Sequence, residues 1–521
     1  MAGHLFIVRG NLLDLACDAL LVPSGSEGGC PGFVTEHWRA ELGSLAVDGI
    51  LERAPDQSDR VVLVRERDTI KRPALWAGFT GHKGDEPVEW YAEAVDEFVR
   101  AAAPAARLRT GAEPRSLADD RPLLAVPLIG SGAGGMQADK GSLVAAIVDR
   151  LVTAVASYGA DVALVLHTAE AFAAAQQARA RHPRETTWDD LGGPLESHAD
   201  RLAGLARADR LVLFLGAGAS IGAGLPSWSD LLDALAGEAQ LTDAEREELR
   251  RLEPRDAGRV LDRRLRDRGG DLAATVVRLV TADRSSLLQQ LAASLPVTEA
   301  VTTNYDTLFE DAWIGAGREP SVLPWESVAE ASCWLLKLHG SVHDPKSIVL
   351  SRDDYLRFEG EGVALAGIVQ AMLLTRHMLF LGYSLSDDNF HRLVHQVRTA
   401  IGAHDQRPGG HFGTALTPRT PSLGDALWDG DVEFVSTAGE DGDDPRRLAI
   451  LLDRVAALAA PPAAHVLDDT YSQLFSPVEN EMREHLLALW RLLEDPALGG
   501  ATRMAVADAL QRIGKPGRDL D

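Results

Sequence analysis

Residues 210–232 read RLVLFLGAGASIGAGLPSWSDLL. The apolar, β-compatible run Leu211–Leu215 stops at Gly216-Ala217-Gly218-Ala219-Ser220, and Gly222 and Gly224 follow before a helix predicted from Ser229. A buried strand feeding a glycine-rich turn and then a helix lets backbone approach a ligand closely and aims N–H groups at an anion such as a phosphate. The turn at 216–220 is therefore a candidate phosphate cradle. Glycines also occur in tight turns that bind nothing, so the ligand has to be read from the rest of the chain.

Outward from this turn, residues 229–294 read almost entirely as helix. Leu231, Leu232, Leu235, Leu241, Leu249 and Leu252 recur at helical spacing, and Thr242 with Glu245 forms a capping box. The arginine-rich stretch RDAGRVLDRRLRDRGG within it reads as a solvated helix face. Strands are predicted at 297–303, 334–338, His377–Leu381, 413–416 and 431–435. The first three end in Thr303-Asn304-Tyr305-Asp306, in His339-Gly340-Ser341 and in Gly382-Tyr383-Ser384. In an open parallel sheet, polar residues just beyond the carboxyl ends of strands gather at one edge, where ligands bind. The expectation is a Rossmann-like parallel sheet with a helical insertion between its first two strands.

The totals limit what such a protein can do. With 521 residues the chain is too long for one ordinary core, and 45% hydrophobic content is ample for several. Its 52 Lys+Arg against 77 Asp+Glu leave a formal charge of −25, a field that repels nucleic acid and anionic membranes. Neither is expected as a direct partner. Three scattered cysteines (Cys17, Cys30, Cys333) supply neither a disulfide framework nor a four-thiolate zinc site, so no metal is expected and a reducing compartment fits. The opening MAGHLFIVRGNLLDLACD carries Arg9, Asp14 and Asp18 where a secretory signal needs an unbroken apolar core, and no run of about 18 apolar residues occurs, so the chain is expected to be cytoplasmic.

Residues 1–180 read as a separate α/β unit, with strands at 4–8, 19–22, 60–64, 123–128 and 161–166 and helices at 88–103 and 140–158. A polar, proline- and glycine-containing stretch around RHPRETTWDDLGGP marks the boundary, and 181–207 serves as linker and helix. The Rossmann-like domain is expected over 208–460 and a helical segment over 461–521, whose apolar stripe serves packing or an oligomer interface.

Two resemblances follow from these residues. Gly10-Asn11-Leu12 with Asp18-Ala19, the loop SGSEGGCPGFV at 24–34 and the glycine loop at 127–135 resemble the macro domain, an ADP-ribose-binding module. That resemblance implies an ADP-ribose-type ligand held mainly by backbone amides, because Asn11 has no clear second partner. GAGAS (216–220), TNYD (303–306), LHG (338–340) and GYS (382–384), in that order, resemble the sirtuin superfamily, and more narrowly its bacterial SIR2-like NAD-consuming enzymes of phage defence. The resemblance implies NAD as substrate. It places the diphosphate on Gly216, Ala217, Gly218 and Ser220, Asn304 by the nicotinamide ribose, Asp306 by the carboxamide and His339 at the ribose hydroxyls, with Gly382 and Ser384 on the adenosine side. A homo-oligomer is expected through the C-terminal helical pair, and a partner ATPase such as a HerA-like translocase is left open.

The chemistry suits those residue types. Breaking the N-glycosidic bond of NAD develops positive charge on the ribose, which calls for a dry, oriented nicotinamide and a nearby proton acceptor. Histidine titrates near neutrality, and an asparagine amide holds a hydroxyl or a water without adding charge. Deacylating sirtuins carry a structural zinc held by four cysteines and an aromatic-Arg pair after the glycine turn; here the cysteines are missing and the turn continues GLPSW. Water is then the expected nucleophile, with nicotinamide and ADP-ribose, or a cyclised product, released. The alternatives are a non-enzymatic NAD or ADP-ribose-binding regulator and a protein deacylase or ADP-ribosyltransferase.

Overall fold

The computed structural model describes residues 2–24, 60–67, 72–79, 86–107, 121–132, 136–401, 411–440, 442–461, 463–493, 495 and 497–511. Most of the 24–34 loop and the end of the 127–135 loop lie outside them. The chain divides into two compact units: one holds the N-terminal residues through Gly192 together with Ala456–Asp521, the other is Gly193–Val455.

The first unit is built on a six-stranded sheet. Its strands are β1 (Leu5–Arg9), β2 (Ala19–Ser24), β3 (Val61–Arg65), β4 (Ala74–Phe79), β5 (Leu123–Pro127) and β6 (Asp161–Leu166), ordered β1-β6-β5-β2-β4-β3. All pairs are parallel except β3 with β4. The sequence pattern does not mark β4, ALWAGF, because it is rich in small residues. It is nonetheless a buried strand, and Gly78 is small because a Cβ there would sit 2.8 Å from the Ile129 side chain. The helix Lys140–Tyr158 is long and apolar enough by composition to cross a membrane, yet it buries Leu143, Val144, Ile147, Val148 and Leu151 inside this unit. The segment after Pro461 packs here too. His465 shares a 2.6 Å hydrogen bond with Gln177, Arg181 donates to the Leu474 carbonyl, and Tyr471 and Leu474 are buried.

The second unit carries an all-parallel seven-stranded sheet. Its strands are β7 (Leu211–Leu215), β8 (Glu299–Thr302), β9 (Pro320–Leu323), β10 (Cys333–Lys337), β11 (His377–Leu381), β12 (Gly413–Thr417) and β13 (Val432–Ser436), ordered β13-β12-β11-β7-β8-β10-β9. β7 is wholly buried, as its apolar run predicts for a central parallel strand. The short edge strand β9 begins with Pro320, a first position that tolerates the missing N–H, and its four residues are too few to stand out as a strand pattern. Between β7 and β8 come five helices, Trp228–Glu238, Asp243–Leu249, Pro254–Asp267, Leu272–Leu279 and Leu287–Ser294. The first four share a core of Leu231, Leu235, Leu249, Leu261, Leu265 and Val276, and the Thr242–Glu245 capping box forms. The arginines of the third helix pair outward with carboxylates, among them Arg264 with Glu245 at 2.6 Å and Arg266 with Asp262 at 2.7 Å.

From β7 the chain builds towards β8 on one side and, after β10, returns to lay β11 on the other. The strand order thus reverses between β7 and β11, and the crevice beyond their carboxyl ends is where open α/β sheets bind ligands.

Candidate active site

The glycine turn leaves β7 as a 3-10 helix, Ala217–Ala223, and meets the turn that leaves β11 backbone to backbone. Gly218 N donates to the Gly382 carbonyl at 2.9 Å. A Cβ on Gly216 would lie 2.6 Å from that oxygen, one on Gly218 2.8 Å from Gly382 Cα, and one on Gly382, at φ +63°, 2.1 Å from Ala219 N. These glycines are therefore required by the packing of two strand ends, in addition to any need to admit a ligand. Below the contact Phe214 packs on Phe380, Tyr383 and Phe390 with ring centroids 4.5–5.3 Å apart, which locks both ends to the sheet. Leu385 sits at φ +58° with its side chain buried in the same core, so Ser384 and Ser386 are held outward by a strained, anchored residue.

A cavity of about 670 Å³ opens at this switch point. Ala217, Gly218, Ser220, Asn304, Asp306, His339, Gly382 and Ser384 all line it. Gly216 lies behind the lining, where its carbonyl accepts from Asn304 Nδ2 at 3.2 Å. Of the residues singled out in the sequence, eight of nine thus meet at one cavity although they come from four strand ends.

The side chains have distinct occupations. Ser220 Oγ donates to Asp306 Oδ2 at 2.9 Å and accepts from Asn304 Nδ2 and from Gln289 Nε2, each at 3.1 Å. That uses the single donor and both acceptor sites of a hydroxyl, so the Ser220 side chain is a hub that fixes its neighbours, and only its backbone is left for a phosphate. Asp306 is likewise engaged, its second oxygen accepting from Leu308 N at 3.1 Å; burial raises its pKa, against the opposing charge of Lys337. Asn304 is 8% exposed. With both protons of its amide directed to Gly216 and Ser220, Asn304 Oδ1 is left buried and without a protein partner, an acceptor held in fixed geometry on a residue that lines the cavity.

His339 is 4% exposed, and its Nε2 stands 3.5 Å from Asp387 Oδ2. Burial lowers its pKa and Asp387 partly restores it, so the imidazole is neutral at neutral pH. Asp387 is held at both oxygens. Oδ1 caps the helix Asp388–Ile401 by accepting from Asn389 N at 2.8 Å and Phe390 N at 3.2 Å, while Oδ2 accepts from Tyr355 Oη at 3.0 Å and faces the histidine. The Tyr355 ring lies edge-on to His339 at 5.5 Å, and its hydroxyl pKa is raised by burial and by Asp387.

Sequence reasoning missed Asp387, Tyr355 and Gln289. Asp387 follows the GYS turn by three residues in a Ser-Asp-Asp-Asn stretch that reads as an ordinary helix cap, Gln289 sits in the Ser286–Gln289 capping box, whose signal points only to a helix start, and Tyr355 lies on a helix with no motif. Arg255 is the only Lys or Arg lining the cavity among the described residues, and it is already paired with Glu253 at 2.8 Å and with Asp388.

In the first unit, the two side chains that carried the other resemblance serve local structure. Asn11 caps the turn Leu12–Asp14, and Asp18 is buried against Arg67 at 2.7 Å and accepts from Leu123 N at 2.7 Å.

The fold and the cavity define an α/β protein with its site at the switch point of a parallel sheet. Within it, residues 298–429 match the family model of the SIR2-like domain. That span holds Asn304, Asp306, His339, Gly382, Ser384 and Asp387, and it begins after the glycine turn. The NAD(+) hydrolase ThsA of Enterococcus faecium is 31% identical over 208 residues, 38% of this chain and 41% of that relative. The ThsA of Bacillus cereus (strain MSX-D12) is 27% identical over 205 residues, 38% and 42% respectively. Defense-associated sirtuin 2 of Bacillus subtilis is 33% identical over 104 residues, 19% of this chain and 10% of that relative. The chain spans at most about two fifths of the length of these curated relatives.

Proposed function

We propose that the cavity hydrolyses NAD to nicotinamide and ADP-ribose. One observation carries the reading: Asn304, whose Oδ1 is buried without a protein partner, and His339, paired with Asp387, line one cavity at the switch point of the sheet, in a stretch that matches the SIR2-like domain and in a chain part of which is similar to proteins named NAD(+) hydrolases. The apolar wall of Ile221, Leu225, Trp228 and Val280 offers a dry surface for a flat ring. The diphosphate is held by backbone of the glycine turn, since Arg255 is already neutralised. As the C–N bond breaks, the electron pair leaves with nicotinamide and positive charge spreads over the ribose. Asn304 Oδ1 accepts from a ribose hydroxyl or from the attacking water, and neutral His339 takes a proton as the new C–O bond forms. Asp387 stabilises the resulting imidazolium. In the cell the reaction depletes NAD as an effector of anti-phage defence.

Nicotinamide release from NAD, followed for the wild type and for Asn304→Ala and His339→Ala, tests this reading. Loss of release in both variants, with their folding intact, is expected; release at the wild-type rate in either would overturn it.

A further inference from the structure

Beneath the cavity lies a buried ion pair that the mechanism above does not use. Lys337, the last residue of β10, has a side chain with no exposure, and its Nζ donates to Glu310 Oε1 at 2.7 Å and to the backbone carbonyl of Asp306. Glu310 is itself 7% exposed on the helix Leu308–Gly315. Lys337 stands two residues before His339, so one ammonium joins three pieces: the strand that delivers the histidine, the loop that carries Asn304 and Asp306, and the helix that follows that loop. The two strand ends are also connected through backbone, Leu338 N to Thr302 O at 2.9 Å and Val342 N to Tyr305 O at 2.9 Å, and the Tyr305 hydroxyl donates to the Val349 carbonyl at 2.8 Å.

A buried ion pair is a poor way to gain stability, because desolvation of both charges offsets most of their attraction, and well-packed apolar side chains usually do as well. What it does here that apolar packing cannot is fix the direction of a backbone carbonyl and put positive charge next to a buried carboxylate. Burial raises the pKa of Asp306 and of Glu310, and for both the Lys337 charge works in the opposite direction.

We propose that Lys337, braced by Glu310, is a positioning residue that holds the Asn304–Asp306 loop in register with His339. The role assigned to that loop rests on the NAD-hydrolase reading, but the placement of the loop does not.

The test is the double variant Lys337→Met/Glu310→Leu, which exchanges the pair for apolar side chains of similar volume and leaves no lone buried charge. Its melting temperature is expected to stay close to that of the wild type. Its kcat for NAD is expected to fall about 10- to 100-fold, as misplacement of reacting groups by about an ångström does, with KM changed far less. Asp306 loses the positive charge that opposes its burial and the repulsion of Glu310 together, so the acid limb of the pH–rate profile is expected to move little. Asp387, Tyr355 and Arg255 are unaltered, so their influence on His339 cancels in the comparison. A crystal structure of the same variant reads the loop directly: displacement of Asn304 relative to His339 supports the proposal whether or not the wild type cleaves NAD. A loop that stays in place overturns it, even where activity falls. Wild-type protein that releases no nicotinamide counts against the hydrolase reading alone.

Discussion

Asp387→Asn isolates the contribution of one charge to the histidine. The asparagine keeps an oxygen for Asn389 N and Phe390 N, so the cap of the helix Asp388–Ile401 survives and stability is expected to change little. The carboxylate charge 3.5 Å from His339 Nε2 is lost. At an effective dielectric of about 20 that attraction to an imidazolium is worth roughly 4–5 kcal/mol as an upper bound. The amide dipole and local relaxation recover part of it, leaving about 2–3 kcal/mol, or about 30- to 150-fold in kcat. The pH profile carries a sign as well. Burial lowers the His339 pKa and Asp387 opposes that lowering, so removing the charge moves the acid limb to lower pH. Steady-state nicotinamide release at saturating NAD between pH 5 and pH 8, on wild type and variant, measures both effects. A kcat within about threefold of wild type, or an acid limb that moves upward, would refute the pairing as a functional one.

Three further outcomes follow from the same geometry. Ser220→Ala removes the hub and leaves Asn304 Nδ2 with one partner fewer, Gln289 Nε2 without its hydroxyl and Asp306 Oδ2 without its donor; it is expected to cost about 2–4 kcal/mol in denaturant unfolding, as buried polar groups left unpaired do. Gly382→Ala places a Cβ 2.1 Å from Ala219 N at φ +63°, so this variant is expected to lose the folded second unit, whereas Gly430→Ala, at φ +83° with open space around it, is expected to lose only about 1 kcal/mol; equal melting temperatures for the two would contradict the close approach. His377 is mostly buried against Thr414 and its pKa is lowered to about 4. A group whose folded pKa lies below its unfolded value binds protons preferentially when unfolded, so its contribution is lost as pH falls from about 6.5 towards 4, by about 2–3 kcal/mol. His377→Gln is expected to flatten that part of the stability–pH curve, and an unchanged slope would show that His377 does not titrate there.

How much of this was legible in the sequence depends on the range of the interaction. Strand β7 and the strands ending at Asn304, His339 and Gly382 announce themselves through apolar runs that stop at polar or glycine residues, because a central parallel strand is buried on both faces. The convergence of those ends follows from the topology, so eight of nine chosen residues line the cavity. The edge strand β9 and the small-residue strand β4 escaped notice, since four residues and an alanine- and glycine-rich run carry little pattern. The side chains that tune the site were hidden for another reason. Asp387 doubles as a helix cap, Lys337 ends an apolar strand and Glu310 looks like a solvated helix carboxylate, and only the three-dimensional meeting of distant positions shows that they face His339 and Asp306. The glycines were visible, but the reason for them was incomplete: Gly216, Gly218 and Gly382 make room for each other's backbone.

The central claim is that this cavity breaks the nicotinamide–ribose bond of NAD by water attack. Mass spectrometry of the products formed from NAD in ¹⁸O-labelled water, for wild type beside Asn304→Ala, tests it most directly. The account predicts nicotinamide and ADP-ribose carrying one ¹⁸O from the wild type and intact NAD from the variant. NAD that stays intact with both proteins, or labelled ADP-ribose released equally by both, would contradict it.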